Sequence, residues 1–231
     1  MKTLIIVRHG NTFKPDEESV RVGFRTDIPL VEEERSRLAG RILKSRNLFP
    51  DRVFAAPLLR TTQTAQLIID ELGLDISIQL DQIFSEIDYG LDEGKTETSV
   101  ITRLGQYHLG KNAPKESILQ RGKEEMDKWN KNAIPPFGWN VDTSKIISDW
   151  RDFVTKINDG ETVLVVSSNG IIRFAPNILP QHSLDKFLKE NNLKVTTAGI
   201  CILTKENSQW NITNWNLKPT EENIDRRSCC K

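Results

Sequence analysis

The segment Leu4-Ile5-Ile6-Val7-Arg8-His9-Gly10-Asn11-Thr12 constrains this chain more than any other. Four aliphatic residues in a row, with no polar alternation, read as a strand buried on both faces. The run stops at an arginine, a histidine and a glycine. A guanidinium and an imidazole thus stand at the carboxyl end of a strand, where open α/β sheets keep their binding crevices. Arginine grips phosphate through a planar fork of donors. Histidine can attack phosphorus as a nucleophile, and glycine lets the chain turn tightly beside a ligand.

Strand-like runs recur at residues 3–7, 52–55, 76–80, 162–167, 199–204 and 209–214, with helical stretches between them, which argues an α/β fold. Three helices are expected at 32–46, 58–72 and 144–158. Their apolar stripes carry Leu38 and Ile42; Ala65, Ile68 and Leu72; and Ile147, Trp150, Val154 and Ile157. Residues 97–141 read differently: polar, weakly periodic, and broken by Pro135-Pro136-Phe137-Gly138. We take them as a cap insert folding over the crevice. Trp129 and Trp139 pack beneath it more readily than they roof a pocket. The expected architecture is one domain over 1–217, a three-layer α/β sandwich with a mostly parallel sheet and helices on both faces. From Lys218 to residue 231 the polar chain is expected to fray as a flexible tail.

Composition excludes several roles. Lysine plus arginine, 32, equals aspartate plus glutamate, 32, which removes the usual electrostatic case for a nucleic-acid partner. No apolar stretch approaches membrane-spanning length and no secretory pattern precedes the first strand, so a cytoplasmic location without membrane attachment is expected. The three cysteines, Cys201, Cys229 and Cys230, do not form a disulfide framework. Neither a metal-ligand spacing nor a glycine-rich nucleotide loop is present, so no metal and no cofactor are expected.

Three further blocks carry candidate chemistry. Val53-Phe54-Ala55-Ala56-Pro57-Leu58-Leu59-Arg60 runs strand, proline turn, helix, and sets Arg60 in a first helical turn that suits an anion. Phe84-Ser85-Glu86-Ile87-Asp88-Tyr89-Gly90-Leu91-Asp92-Glu93-Gly94 supplies carboxylates; a proton donor among them needs a pKa raised by burial or nearby negative charge. Ser167-Ser168-Asn169-Gly170 follows another aliphatic strand, and offers a hydroxyl, an amide and a helix start to an anion.

In this order the four blocks resemble the signatures of the histidine phosphatase superfamily, the phosphoglycerate-mutase-like fold, across nearly the whole chain. The resemblance implies that His9 accepts a phosphoryl group while Arg8, Arg60 and Asn11 contact the phosphate. It makes Glu86 the proton donor, with Asp88 and Glu93 as alternatives. Ala56 stands where the family usually has serine. Relatives read Val-Ser-His-Gly-Gly in the fourth block; here the imidazole position holds Ser168, whose hydroxyl brings no charge, with Asn169 beside it as a substitute donor. Losing one pre-organised donor typically costs ~10²–10³ in rate. Arg21 and Arg25 lie in a loop that could touch substrate, where Asp27 and Pro29 shape the turn. His108 and His182 are the remaining histidines, and nothing local places either in the gap.

The implied activity is phosphomonoester hydrolysis through a phosphohistidine on His9, slow or specialised because of Ser168. Its substrate would be a phosphorylated small molecule or phosphoprotein. The competing reading is a non-catalytic phosphate-ligand-binding or scaffold protein. A phosphoglycerate-type mutase is disfavoured, because the insert lacks the arginine pair that mutases use.

Overall fold

The computed structural model describes residues 1–225; the Cys229-Cys230 pair lies outside them. A six-stranded sheet has the order β3-β2-β4-β1-β5-β6. Its strands are β1 (Lys2–Arg8), β2 (Arg52–Ala55), β3 (Ile78–Leu80), β4 (Thr162–Ser167), β5 (Ile200–Glu206) and β6 (Gln209–Leu217). The β1–β4, β2–β4 and β2–β3 pairs are parallel. β5 runs antiparallel to both β1 and β6, so the sheet is mixed, with one reversed strand near its edge.

Alternation along the strands divides the core into two layers. Leu4, Ile6, Phe54, Val163, Val165, Cys201 and Leu203 face one way. Ile5, Val7, Val53, Ala55, Leu164, Val166, Ile200 and Ile202 face the other. The second face is covered by α1 (Glu34–Ser45) and α2 (Leu59–Leu72), through Leu38, Ile42, Leu43, Ala65, Ile68 and Leu72. The first is covered by α3 (Glu97–Leu109), α4 (Lys115–Asn132), α5 (Thr143–Thr155), α6 (Asn169–Ile172) and α7 (Gln181–Glu190). Each aliphatic strand residue is thereby removed from water, at roughly 1.5–3 kcal/mol per large side chain.

The insert differs from the sequence expectation in one respect. It is not an irregular excursion but a packed pair of helices, α3 and α4. Two glycines permit their approach: a Cβ on Gly105 would stand 1.9 Å from the Ile118 carbonyl, and one on Gly122 1.9 Å from that of Ile101. Glycine lowers helix propensity by about 1 kcal/mol relative to alanine, and the exposed faces are charged, so the helical signal in the sequence is weak. Trp129 and Trp139 are buried under this pair in the same core as α5 and α7.

The described part of the expected tail is tied to the sheet domain. Residues 218–225 do not fray: Arg46 Nη2 donates to the Asn223 carbonyl at 3.3 Å and Asp225 N donates to Ser45 Oγ at 3.0 Å. Ile224 packs against the α1–α2 layer, an apolar contact hidden among polar neighbours in the sequence. Among the described residues no helix is long and apolar enough to cross a membrane.

Candidate active site

The register of β1 against β4 pairs Arg8 with Ser167, and His9 N donates to the Ser167 carbonyl at 3.0 Å. His9 and Ser168 therefore leave the sheet side by side. β2 ends on the other flank of β4, where Ala56 N donates to the Val166 carbonyl at 3.2 Å, and its turn leads into α2 and Arg60. Gly10 N donates to Thr64 Oγ1 at 2.9 Å, which fastens the turn after His9 to α2. A Cβ on Gly10 would stand 2.5 Å from Ser36 Oγ, so glycine lets α1 pack closely on the turn after His9.

His9 is 7% exposed. Its Nδ1 lies 2.8 Å from its neighbour's carbonyl, that of Gly10. A carbonyl only accepts, so Nδ1 carries the proton and Nε2 keeps its lone pair. Burial, then the charges of Arg8 and Arg60, hold the imidazole pKa well below the ordinary histidine value. The ring is neutral at neutral pH, with a free nucleophilic nitrogen.

Both arginines are anchored by backbone carbonyls and keep a donor free. Arg8 Nη1 donates to the Val195 carbonyl at 2.7 Å. Arg60, fully buried, donates from Nη1 to the Thr26 carbonyl at 2.8 Å and from Nη2 to that of Gly23 at 3.1 Å. Arg8 Nε, Arg60 Nε and Ser168 Oγ are buried without a hydrogen-bond partner among the described residues. Unpartnered buried donors cost about 1–3 kcal/mol each. Three such donors on residues flanking His9 could be met by the acceptors of a single anion.

Glu86 closes the cluster. It is 6% exposed; Oε1 accepts from Ile87 N at 2.9 Å, and Oε2 from Gly170 N at 3.3 Å and the Tyr89 hydroxyl at 3.4 Å. Burial raises its pKa, while those amides together with Arg60 and Arg173 oppose the rise. A Cβ on Gly170 would stand 2.1 Å from Glu86 Oε1, so that glycine makes room for the acid. Gly170 N is engaged by Glu86, and α6 spans only four residues. The helix start expected to serve an anion therefore contributes to Glu86 instead.

The other candidates have partners of their own. Asn169 Oδ1 accepts from Val195 N at 2.9 Å, fixing the loop whose carbonyl receives Arg8. Asn11 Oδ1 accepts from Thr197 Oγ1 at 2.5 Å. Arg21 pairs with Glu97 and stacks on the Tyr89 and Trp139 rings, tying its loop to the insert. Arg25 pairs with Asp88 at 3.1 Å. His108 lies 3.4 Å from Glu125, and His182 is exposed at the start of α7; neither joins the cluster.

Sequence reasoning missed two participants. The Tyr89 hydroxyl meets Glu86, and burial then the Glu86 charge push its pKa upward. Arg173 is 2% exposed, lies over the Trp129 ring and donates to the Trp129 carbonyl at 2.7 Å. Burial lowers its pKa to about 10, while Tyr89 and Glu86 act to raise it. Their signal was position: Tyr89 follows Glu86 by three residues, and Arg173 follows Ser168 by five.

Residues 4–218 match the family model of the histidine phosphatase superfamily (branch 1). The chain belongs to that superfamily. A 2,3-bisphosphoglycerate-dependent phosphoglycerate mutase of Rhizobium meliloti is 25% identical over 214 residues, 89% of this chain and 90% of the relative. The phosphoserine phosphatase of Entamoeba histolytica, solved with phosphoserine, superposes with a TM-score of 0.60 at 20% identity, covering 94% of this chain and 97% of that one. A phosphoglycerate mutase of Bacillus anthracis gives 0.65 at 17% identity, covering 93% and 92%. The superfamily thus includes both phosphatases and mutases with this chain's architecture.

Proposed function

We propose that this member of the superfamily is a phosphomonoester hydrolase working through a phosphohistidine on His9. The observation that carries the reading is the neutral, oriented imidazole beside three buried donors that lack partners. In the first step His9 Nε2 forms a bond to phosphorus, and the bond from phosphorus to the leaving oxygen breaks. Glu86, whose pKa burial raises, gives that oxygen its proton. In the second step water attacks the phosphohistidine and Glu86 takes back a proton. The P–N bond breaks, and phosphate leaves. Arg8, Arg60 and the Ser168 hydroxyl neutralise or bond the phosphoryl oxygens, which is where most stabilisation of this transition state arises. The substrate is a phosphorylated small molecule or phosphoprotein, and no metal is needed for these steps.

Ser168 occupies the position at which the family motif carries its second imidazole. A hydroxyl supplies one hydrogen bond and no charge, so turnover is slower than a two-histidine pocket would give. That same observation favours a second reading, in which the pocket holds phosphate ligands without turning them over.

Hydrolysis of p-nitrophenyl phosphate separates the two. Slow turnover in the wild type, its loss in His9→Ala and a rise of about tenfold or more in Ser168→His are expected. A silent wild type that nonetheless binds phosphate would establish the second reading.

A further inference from the structure

Arg60 is held by a turn, and the turn is held by an acid. The two carbonyls that receive its guanidinium belong to Gly23 and Thr26. They set the plane of the fork and leave Nε without a partner. The next residue, Asp27, accepts from Leu59 N at 2.7 Å, capping the first turn of α2, whose own cap residue Leu58 makes no side-chain bond. One turn therefore positions both the guanidinium and the helix that carries it.

Backbone pairing is tightest at the beginning of this turn; beyond it Phe24 N reaches the Ile87 carbonyl and Thr26 N that of Gly23 only at 3.4 Å. Arg21 N donates to the Lys95 carbonyl at 3.0 Å, and Gly94 N to that of Arg21 at 2.9 Å; Val20 bridges Thr96. At Gly23 a side chain takes over. Glu93 Oε1 accepts from Gly23 N at 3.0 Å and from Thr26 Oγ1 at 2.6 Å. It thus binds the same two residues whose carbonyls receive Arg60. Its second oxygen, Oε2, is buried without a partner, and a Cβ on Gly23 would stand 2.2 Å from it. Leaving a buried carboxylate oxygen unpaired is unfavourable, so this group is better explained by what it positions than by stability.

We propose that Glu93 is a positioning residue for Arg60: it closes the turn so that Gly23 and Thr26 present their carbonyls to the guanidinium and its free Nε stays aimed at phosphate. The proposal rests on the reading of Arg60 as a phosphate ligand. It assigns Glu93 a part distinct from the proton donor, which is Glu86.

The test compares p-nitrophenyl phosphate turnover and inhibition by inorganic phosphate in the wild type, E93A, E93Q, R60A and the R60A/E93A double variant. Displacing a contact by about 1 Å can cost on the order of 10² in rate. E93A is therefore expected to lower kcat/KM by about 10- to 100-fold and to raise the phosphate inhibition constant with it. E93Q keeps an oxygen that accepts both bonds, and should retain activity within about fivefold. In the R60A background, E93A should add no more than about twofold. T26V, which removes only the hydroxyl donor, should cost about 3- to 10-fold and serves if E93A does not fold. Unchanged phosphate inhibition in E93A or T26V would overturn the proposal, as would E93Q failing as badly as E93A, or a full additional loss in the double variant. A wild type that neither turns over nor binds phosphate would sink the phosphate-pocket reading itself, and this proposal with it.

Discussion

Two buried polar clusters in this molecule are built to opposite rules. Around Asp92, 1% exposed, every strong donor finds its acceptor. Arg103 donates from Nε to Oδ1 and from Nη2 to Oδ2, both at 2.6 Å, and Trp139 Nε1 donates to Oδ2 at 2.7 Å. Around His9 the donors Arg8 Nε, Arg60 Nε and Ser168 Oγ find none, and positive groups crowd a neutral ring. The first cluster joins α3 and the segment after α4 to the loop behind Glu86, and it is complete without a ligand. The second leaves three donors unmet among the described residues. Saturation suits a joint in the fold, and unmet donors beside an oriented imidazole suit a ligand.

This contrast can be broken from either side. The largest effect is expected for Glu86→Gln, which keeps the shape and removes the proton. The kcat/KM for an alkyl phosphate, which reports phosphoryl transfer to His9, should fall by about 10²–10⁴, while that for p-nitrophenyl phosphate, whose leaving group needs little protonation, falls far less. The urea midpoint should hold or rise, because a buried acid is exchanged for a neutral amide. Similar losses on both substrates would remove Glu86 from the acid role.

Asp92→Ala should do the reverse. It strands the buried indole N–H and takes the carboxylate from a partly exposed guanidinium, which keeps its bond to the Phe137 carbonyl, at a cost of about 2–4 kcal/mol seen as a lower urea midpoint, with kcat of the folded fraction within a few-fold. A stable but inactive variant would show that the joint belongs to the chemistry. Gly105→Ala sharpens the comparison at lower stakes: its methyl would collide with the Ile118 carbonyl, an overpacking cost of about 1–3 kcal/mol with little change in KM.

The smallest effect is the shape of the pH profile. His9 is held below its ordinary value and Glu86 above its own. The nucleophile is then lost only when pH falls well below the usual histidine range. The acid is lost as pH rises through the raised Glu86 value. The kcat/KM profile, which reports the free enzyme, should therefore stay active on the acid side of an ordinary histidine and decline on the alkaline side. The alkaline decline should vanish in Glu86→Gln. Persistence of that decline in the variant would assign it to another group.

The sequence disclosed the pocket better than its surroundings, for physical reasons. Leu4–Val7 and Val163–Val166 carry no alternation because both faces are buried, so their ends, with His9 and Ser168, could be located to the residue. Arg60 was legible because a proline turn announces its helix. α3 and α4 were not, since their contact runs through Gly105 and Gly122, which read as breakers until the partner backbone is seen. The partners of Arg173 and Glu93 were hidden differently. Each residue acts through carbonyls or amides from distant segments, and no local pattern records such partners. Asn169 reads as an amide donor for phosphate; its oxygen accepts from Val195 N, 26 positions away, a partner no local pattern records.

The most direct measurement is rapid quenching of the enzyme with a ³²P-labelled phosphodonor, followed by acid and alkali treatment and mass spectrometry. The account predicts a transient label, stable to alkali and labile to acid, on His9 and absent from His9→Ala. Turnover with no label at any time, or a label on another side chain, would contradict it.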